Sequence, residues 1–155
     1  MKIKDFMITD VISVQKDMKI KELLKIMVKQ QIGGVPVIDE NDRLIGMISD
    51  GDVIRYFQPS GRTIYDVFSM VFISEKEELR HKIETSIEHQ SAEIMKKNVY
   101  TVHPEDEIEE ALSILSRYHF KKIPVTDDSY RVVGVISRGD IMRSIYNKVI
   151  AESDN

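Results

Sequence analysis

Two short runs of this chain set a serine three residues ahead of an aspartate, directly after an aliphatic stretch: Gly46-Met47-Ile48-Ser49-Asp50-Gly51-Asp52 and Gly134-Val135-Ile136-Ser137-Arg138-Gly139-Asp140. A serine at a strand's end and a carboxylate in the first turn of the following helix lie beside backbone N–H groups that have no partner within the helix. An ionised carboxylate only accepts hydrogen bonds, so it matches a vicinal diol, which supplies two donors. The positive end of the helix favours a nearby phosphate. The chemistry within reach is recognition of a sugar phosphate. The same Ser-x-x-Asp spacing is also a helix capping box, which closes on itself and needs no ligand. One copy alone favours the cap, and the two roles are compatible.

The elements that must position these residues occur twice. Laying Met7 on Met95 superimposes 7–57 on 95–145 without a gap, and Val35-Pro36-Val37-Ile38-Asp39 is answered by Ile123-Pro124-Val125-Thr126-Asp127. A duplicated unit predicts a pseudo-twofold object whose function falls at the seam, at two related places. In each copy a β-branched run (11–14, 99–102) reads as a first strand. A helix follows over 18–30, with Ile20, Leu23, Leu24, Met27 and Val28 facing inward, and again with Ile108, Ala111, Leu112 and Leu115. Asp106 with Glu109 three residues on has the form of a capping box, placing the second copy's helix start near Asp106. Two strands (35–38 and 44–48) flank the turn Asp39-Glu40-Asn41-Asp42, and Thr126-Asp127-Asp128-Ser129-Tyr130 is the matching turn. Closing helices are expected over 52–57 and from 140 to about 150. The order is β-α-β-β-α in each repeat, an α/β (α+β) arrangement with helices against a small sheet. Pro36 and Pro124 lack a ladder donor and are expected at the start of their strands, leaving nearby backbone free for a planar ligand.

The chain has 155 residues, 42% of them apolar, with no cysteine and a net charge of −4. That length suits one compact core, or two small ones that share an interface. Basic and acidic residues are interspersed, so no positive field is offered to nucleic acid. No apolar window reaches the length of a membrane span, and Met1-Lys2-Ile3-Lys4-Asp5 leads straight into the first repeat, so the expected setting is the cytoplasm. No thiol nucleophile, Gly-x-x-x-x-Gly-Lys loop or metal ligand set points to catalysis, and no enzyme is expected. The expected organisation is repeat 1 over 1–57, a helical connector over 58–91, repeat 2 over 92–150 and a tail over 151–155. In the connector, Tyr65, Phe68, Met70 and Phe72 crowd an apolar stretch that either packs on the module or its twin, or meets a partner.

Taken together these residues resemble a tandem pair of cystathionine β-synthase (CBS) domains, a Bateman module, over 2–57 and 92–147. The resemblance implies a sensing role in which the cleft between repeats binds an adenosine-containing ligand: AMP, ADP, ATP or S-adenosylmethionine. It assigns ribose hydroxyls to Asp52 and Asp140, with Ser49 and Ser137 near ribose or phosphate. It places phosphate-reaching cations at the two positions before the aliphatic-Pro step. Lys121 and Lys122 match that pattern and Gly33 and Gly34 do not, so the second copy is expected to supply more phosphate contacts. Arg138 is a further candidate cation or a counter-ion to Asp140. Val11, Val35, Val99 and Ile123 are either walls for an adenine ring or ordinary core. The expected assembly is a homodimer, with an unidentified protein target in addition. The alternative is a ligand-free structural or protein-interaction dimerisation module.

Overall fold

The computed structural model describes residues 1–58 and 75–154. Tyr65, Phe68, Met70 and Phe72, on which the connector expectation rested, lie outside the described residues. In chain order the first repeat contains β1 (Val14–Gln15), α1 (Ile20–Gln30), β2 (Gly34–Ile38), β3 (Leu44–Ser49) and α2 (Asp50–Phe57). The connector contributes α3 (Glu75–Ser86). The second repeat contains α4 (Ile108–Arg117), β4 (Lys122–Thr126), β5 (Val132–Ser137) and α5 (Arg138–Ile145), which runs on through a π-turn (Tyr146–Ile150) into a short α6 (Ala151–Ser153).

Each repeat is built on one antiparallel hairpin, β2–β3 or β4–β5, with equivalent register: Val35 opposite Ile48, Ile123 opposite Ile136. The hairpin turns are set by aspartates. The Asp39 carboxylate accepts from Asn41 and Arg43 N–H, and that of Asp127 from Ser129 and Arg131 N–H, while Asp42 and Tyr130 take left-handed backbone angles. The two tips then join, Leu44 N–H donating to Tyr130 O and Val132 N–H to Asp42 O. The prolines sit in mid-strand, contrary to the expectation that they begin it. Pro36 lies opposite Met47, whose own N–H leaves the hairpin to reach Lys96 O. This is therefore a non-hydrogen-bonded pair, and the donor that proline lacks would point away from β3.

What joins the halves is an exchange of leading segments. Ile8 and Val135 trade both backbone hydrogen bonds, at 2.8 and 2.9 Å, and Lys96 and Met47 do the same at 2.9 and 3.0 Å. Each repeat's leading segment thus lies on the other repeat's hairpin. Ile3 and Phe6 are buried in the core of repeat 2 with Val102, Ile123 and Ile136, while Ile94 is buried in that of repeat 1 with Leu23, Val35 and Ile48. The crossing also shortens the first strands, since a chain bonded to the far hairpin at Ile8 reaches its own sheet only at Val14. In the second repeat, pairing is confined to a single bridge from Val102 to Val125.

The exchange also corrects the expected start of α4. The first N–H of that helix is met by a backbone carbonyl from across the seam: Ile108 N–H donates to Met1 O, as Ile20 N–H donates to His89 O at the start of α1. Asp106 instead accepts from His103 N–H at 2.7 Å, closing the turn before the helix. Val28 and Leu112, expected to face inward, are exposed. Each lies about 100° around the helix from its buried neighbour, Met27 or Ala111.

Candidate functional site

Both Ser-x-x-Asp runs form complete capping boxes. In the first, Ser49 N–H and Oγ donate to Asp52 Oδ2 at 2.9 and 3.0 Å, and Asp52 N–H returns to Ser49 Oγ at 3.2 Å. In the second, the matching distances between Ser137 and Asp140 are 3.1, 2.6 and 3.2 Å. The cap therefore occupies one oxygen of each carboxylate. The other, Oδ1, accepts from an arginine one turn on, Arg55 at 2.8 Å or Arg143 at 2.6 Å. Both carboxylates are buried while both guanidinium groups are largely exposed.

Around Asp52 the seam opens into a cleft of about 360 Å³. Repeat 1 supplies Gly33, Gly34, the Met47–Asp52 run and Arg55; repeat 2 supplies Lys96, Asn98, Val99, Tyr100, and the strand entrance from His119 to Ile123. Lys96 reaches to 3.5 Å from Asp52 Oδ1, a consequence of the crossed leading segment. Burial pushes the Asp52 carboxyl upward. The Ser49 N–H and hydroxyl, Arg55 and the Lys96 charge outweigh it and hold the group below its ordinary value.

The strand entrances explain the Gly-Gly and Lys-Lys difference. A β-carbon added at Gly33 would stand 3.9 Å from Lys121 Cδ, and one added at Gly34 would stand 3.9 Å from Lys122 Cδ. The two entrances face one another, and the lysine stems of one lie over the glycines of the other. Lys121 crosses to Asp50, its Nζ 2.7 and 2.9 Å from the two carboxylate oxygens. Lys122 is half-buried and has no ion pair among the described residues; burial lowers its pKa, and the charge of Asp140 counters this. The cleft is lined by four basic side chains, Arg55, Lys96, Lys121 and Lys122, against the carboxylates of Asp50 and Asp52. This local excess sits in a chain whose net charge is −4.

An aromatic group forms one wall. Tyr100 stacks on Tyr118 with ring centroids 4.7 Å apart and their hydroxyls bonded at 2.8 Å, and Phe120 tilts against Tyr100 at 5.6 Å. Of these, Tyr100 and Phe120 line the cleft.

Of the residues singled out from sequence, Ser49, Asp52, Val99, Lys121, Lys122 and Ile123 are brought together here. Ser137 and Asp140 lie outside this cleft. Arg138 turns back to donate to Leu115 O and Tyr118 O, closing the C-terminal end of α4. Val35 is fully buried in the core of repeat 1. Val11 lines a second hollow of about 210 Å³ with Thr9, Asp10, Ser13, Ile38, Asp42 and Val132. Sequence reasoning missed Lys96, Asn98, Tyr100, Phe120 and the pairing role of Asp50. The last had a readable signal, because it is an acid where the other copy carries Arg138.

Two hairpin repeats with exchanged leading segments and a cleft at their seam define a CBS domain pair. The CBS domain model matches residues 3–59 and 91–147, and the chain belongs to that family. It is 27% identical over 141 residues to L-aspartate semialdehyde sulfurtransferase of Methanocaldococcus jannaschii, a match covering 91% of this chain and 22% of that protein. The chain likewise spans 57% of the chloroplastic CBSX2 sequence of Arabidopsis thaliana, at 27% identity over 135 residues. The structure of CBSX2 in complex with AMP superimposes with a TM-score of 0.74 at 24% identity, covering 96% of this chain and 98% of that one. The CBS domain pair of protein MJ0100, in complex with 5′-methylthioadenosine and S-adenosyl-L-methionine, gives a TM-score of 0.70 at 25% identity and the same coverage. No described helix is long and apolar enough to cross a membrane.

Proposed function

We propose that this chain is a regulatory module that binds an adenosine-containing ligand in the cleft at Asp52, without itself catalysing a reaction. The observation that carries the reading is a buried carboxylate at a cleft bounded by both repeats, with lysines from the opposite repeat around it. Asp52 Oδ1 accepts from the ribose hydroxyls in competition with Arg55. Tyr100, Phe120, Val99 and Ile123 offer apolar surface to the base, and Lys96, Lys121 and Lys122 face the anionic end. AMP, ADP, ATP and S-adenosylmethionine are the candidates, in keeping with the AMP, 5′-methylthioadenosine and S-adenosyl-L-methionine named for the two superimposed structures. A ligand touching both repeats shifts the protein's balance only as far as it favours one arrangement over the other.

A second reading, an interaction module acting through its outer helices, is favoured by a separate observation. Ile54 on α2 and Met142 on α5 occupy equivalent positions and are each 69% exposed, with Tyr146, Val149 and Ile150 exposed beyond Met142. A patch repeated about a pseudo-twofold suits a second copy of the chain, so a homodimer is part of this proposal and an unidentified protein target an addition to it.

Calorimetric titration with AMP, ADP, ATP and S-adenosylmethionine tests the first reading. Asp52→Glu retains a helix-starting carboxylate but displaces it by one methylene. Loss of a charged hydrogen bond is expected to weaken binding about tenfold to a hundredfold. Unchanged affinity would leave Asp52 with its capping role alone.

A further inference from the structure

The ion pair between Asp50 and Lys121 lies in the wall of the cleft and joins residues 71 positions apart across the seam. Its place depends on Gly33, where an added β-carbon would come within 3.3 Å of Asp50 Oδ2. Asp50 is itself fixed at the first turn of α2, with Gly51 N–H donating to its Oδ1 at 2.7 Å. The helix that presents Asp52 thus also presents a second carboxylate, aimed at a cation from the other repeat. The arrangement is one-sided. At the equivalent positions the partners are Arg138, which is turned to the end of α4, and Gly33, which has no side chain.

We infer that Asp50 is a specificity-determining residue: it clasps Lys121 as an internal anion, and the anionic group of a bound ligand must compete with it for that lysine. This rests on the adenosine-site reading above and deepens it. The clasp counts against a ligand in proportion to its reliance on Lys121. An uncharged nucleoside, held by Asp52 and the apolar wall, leaves the pair undisturbed. A phosphorylated nucleoside draws Lys121 away and meets the repulsion of the freed carboxylate, so Asp50 sets a threshold of ligand charge. Exchange of Lys121 from Asp50 to a phosphate replaces a direct contact between repeats by one that runs through the ligand.

Both members of the pair are partly exposed, 64% and 44%, so the expected effect is that of a surface pair, a few-fold in affinity. The test is calorimetric titration of wild type, Asp50→Asn, Lys121→Met and the double variant with adenosine and with ATP at one fixed salt concentration, urea midpoints confirming that each is folded. Asp50→Asn should tighten ATP about fivefold and leave adenosine within about twofold. Lys121→Met should weaken ATP and remove most of the gain from Asp50→Asn. Unchanged or weaker ATP binding in Asp50→Asn would overturn the inference, as would the same gain in the Lys121→Met background, which would reduce Asp50 to a through-space repulsion. A wild type that binds neither ligand would overturn the adenosine-site reading itself, a result distinct from either of these.

Discussion

At their strand entrances the two repeats are opposites: Gly33 and Gly34 with Asp50 in one, Lys121 and Lys122 with Arg138 in the other. In their hairpin register and helix caps they are near copies, down to capping boxes whose distances differ by no more than about 0.4 Å. The difference teaches that the entrances act as one interlocking feature. Lysine stems fit over the glycines because those glycines carry nothing, and two Lys-Lys entrances would compete for the same space. A duplicated scaffold has kept its symmetry in the hairpins, the caps and the crossed leading segments, and broken it at the strand entrances that face each other across the cleft.

The symmetric part can be broken on either side with the same result, and this should be the largest effect on folding. Gly46 and Gly134 lie under the crossed leading segments. A β-carbon at Gly46 would stand 2.8 Å from Lys96 O, and one at Gly134 would stand 3.1 Å from Ile8 O and 2.7 Å from Met7 Sδ. Gly46→Ala and Gly134→Ala should each cost about 1–3 kcal/mol through overpacking, read as a lower urea midpoint. Tolerance of alanine at Gly46, where the near atom is backbone, would contradict the exchange of segments.

The asymmetric part should respond on one side. Replacing Lys121 and Lys122 together by alanine removes two cations from the cleft and is expected to weaken ATP about tenfold while adenosine changes little. Equal losses for both ligands in titration calorimetry would remove the phosphate role from these lysines.

The smallest effect expected is on acid stability. Asp52 titrates below its ordinary value when folded, so its contribution is fully present above the unfolded carboxylate value near pH 4 and is lost as pH falls through the lower folded value. Asp52→Asn should therefore flatten the decline of the urea midpoint below about pH 4. An acid limb identical to that of wild type would show that the carboxylate's charge contributes nothing to folding.

Much of this architecture was legible in the sequence because it is local. The hairpins follow from β-branched runs around Asp39 and Asp127, and the boxes at Ser49 and Ser137 follow from spacing alone. The exchange of leading segments was not legible. Superimposing Met7 on Met95 shows that two segments are equivalent but says nothing of which hairpin each one covers. From that single gap came the missed lysine at position 96, the misplaced start of α4 at Asp106 and the overlong first strands. The rule about missing donors puts Pro36 and Pro124 at the start of their strands, whereas a non-hydrogen-bonded register position serves as well in mid-strand. Of the residues that line the cleft, Ser49, Asp52, Val99, Lys121, Lys122 and Ile123 are legible from spacing and resemblance. Tyr100 and Phe120 are not, since an aromatic side chain carries no signal of the cavity it borders.

The most direct test of a ligand cleft built on Asp52 is a paired titration, in which Asp52→Glu and Asp140→Glu are each measured with ATP beside wild type. Loss of about tenfold or more in Asp52→Glu, with Asp140→Glu close to wild type, is the result predicted. Equal loss in both variants, or none in either, would contradict it.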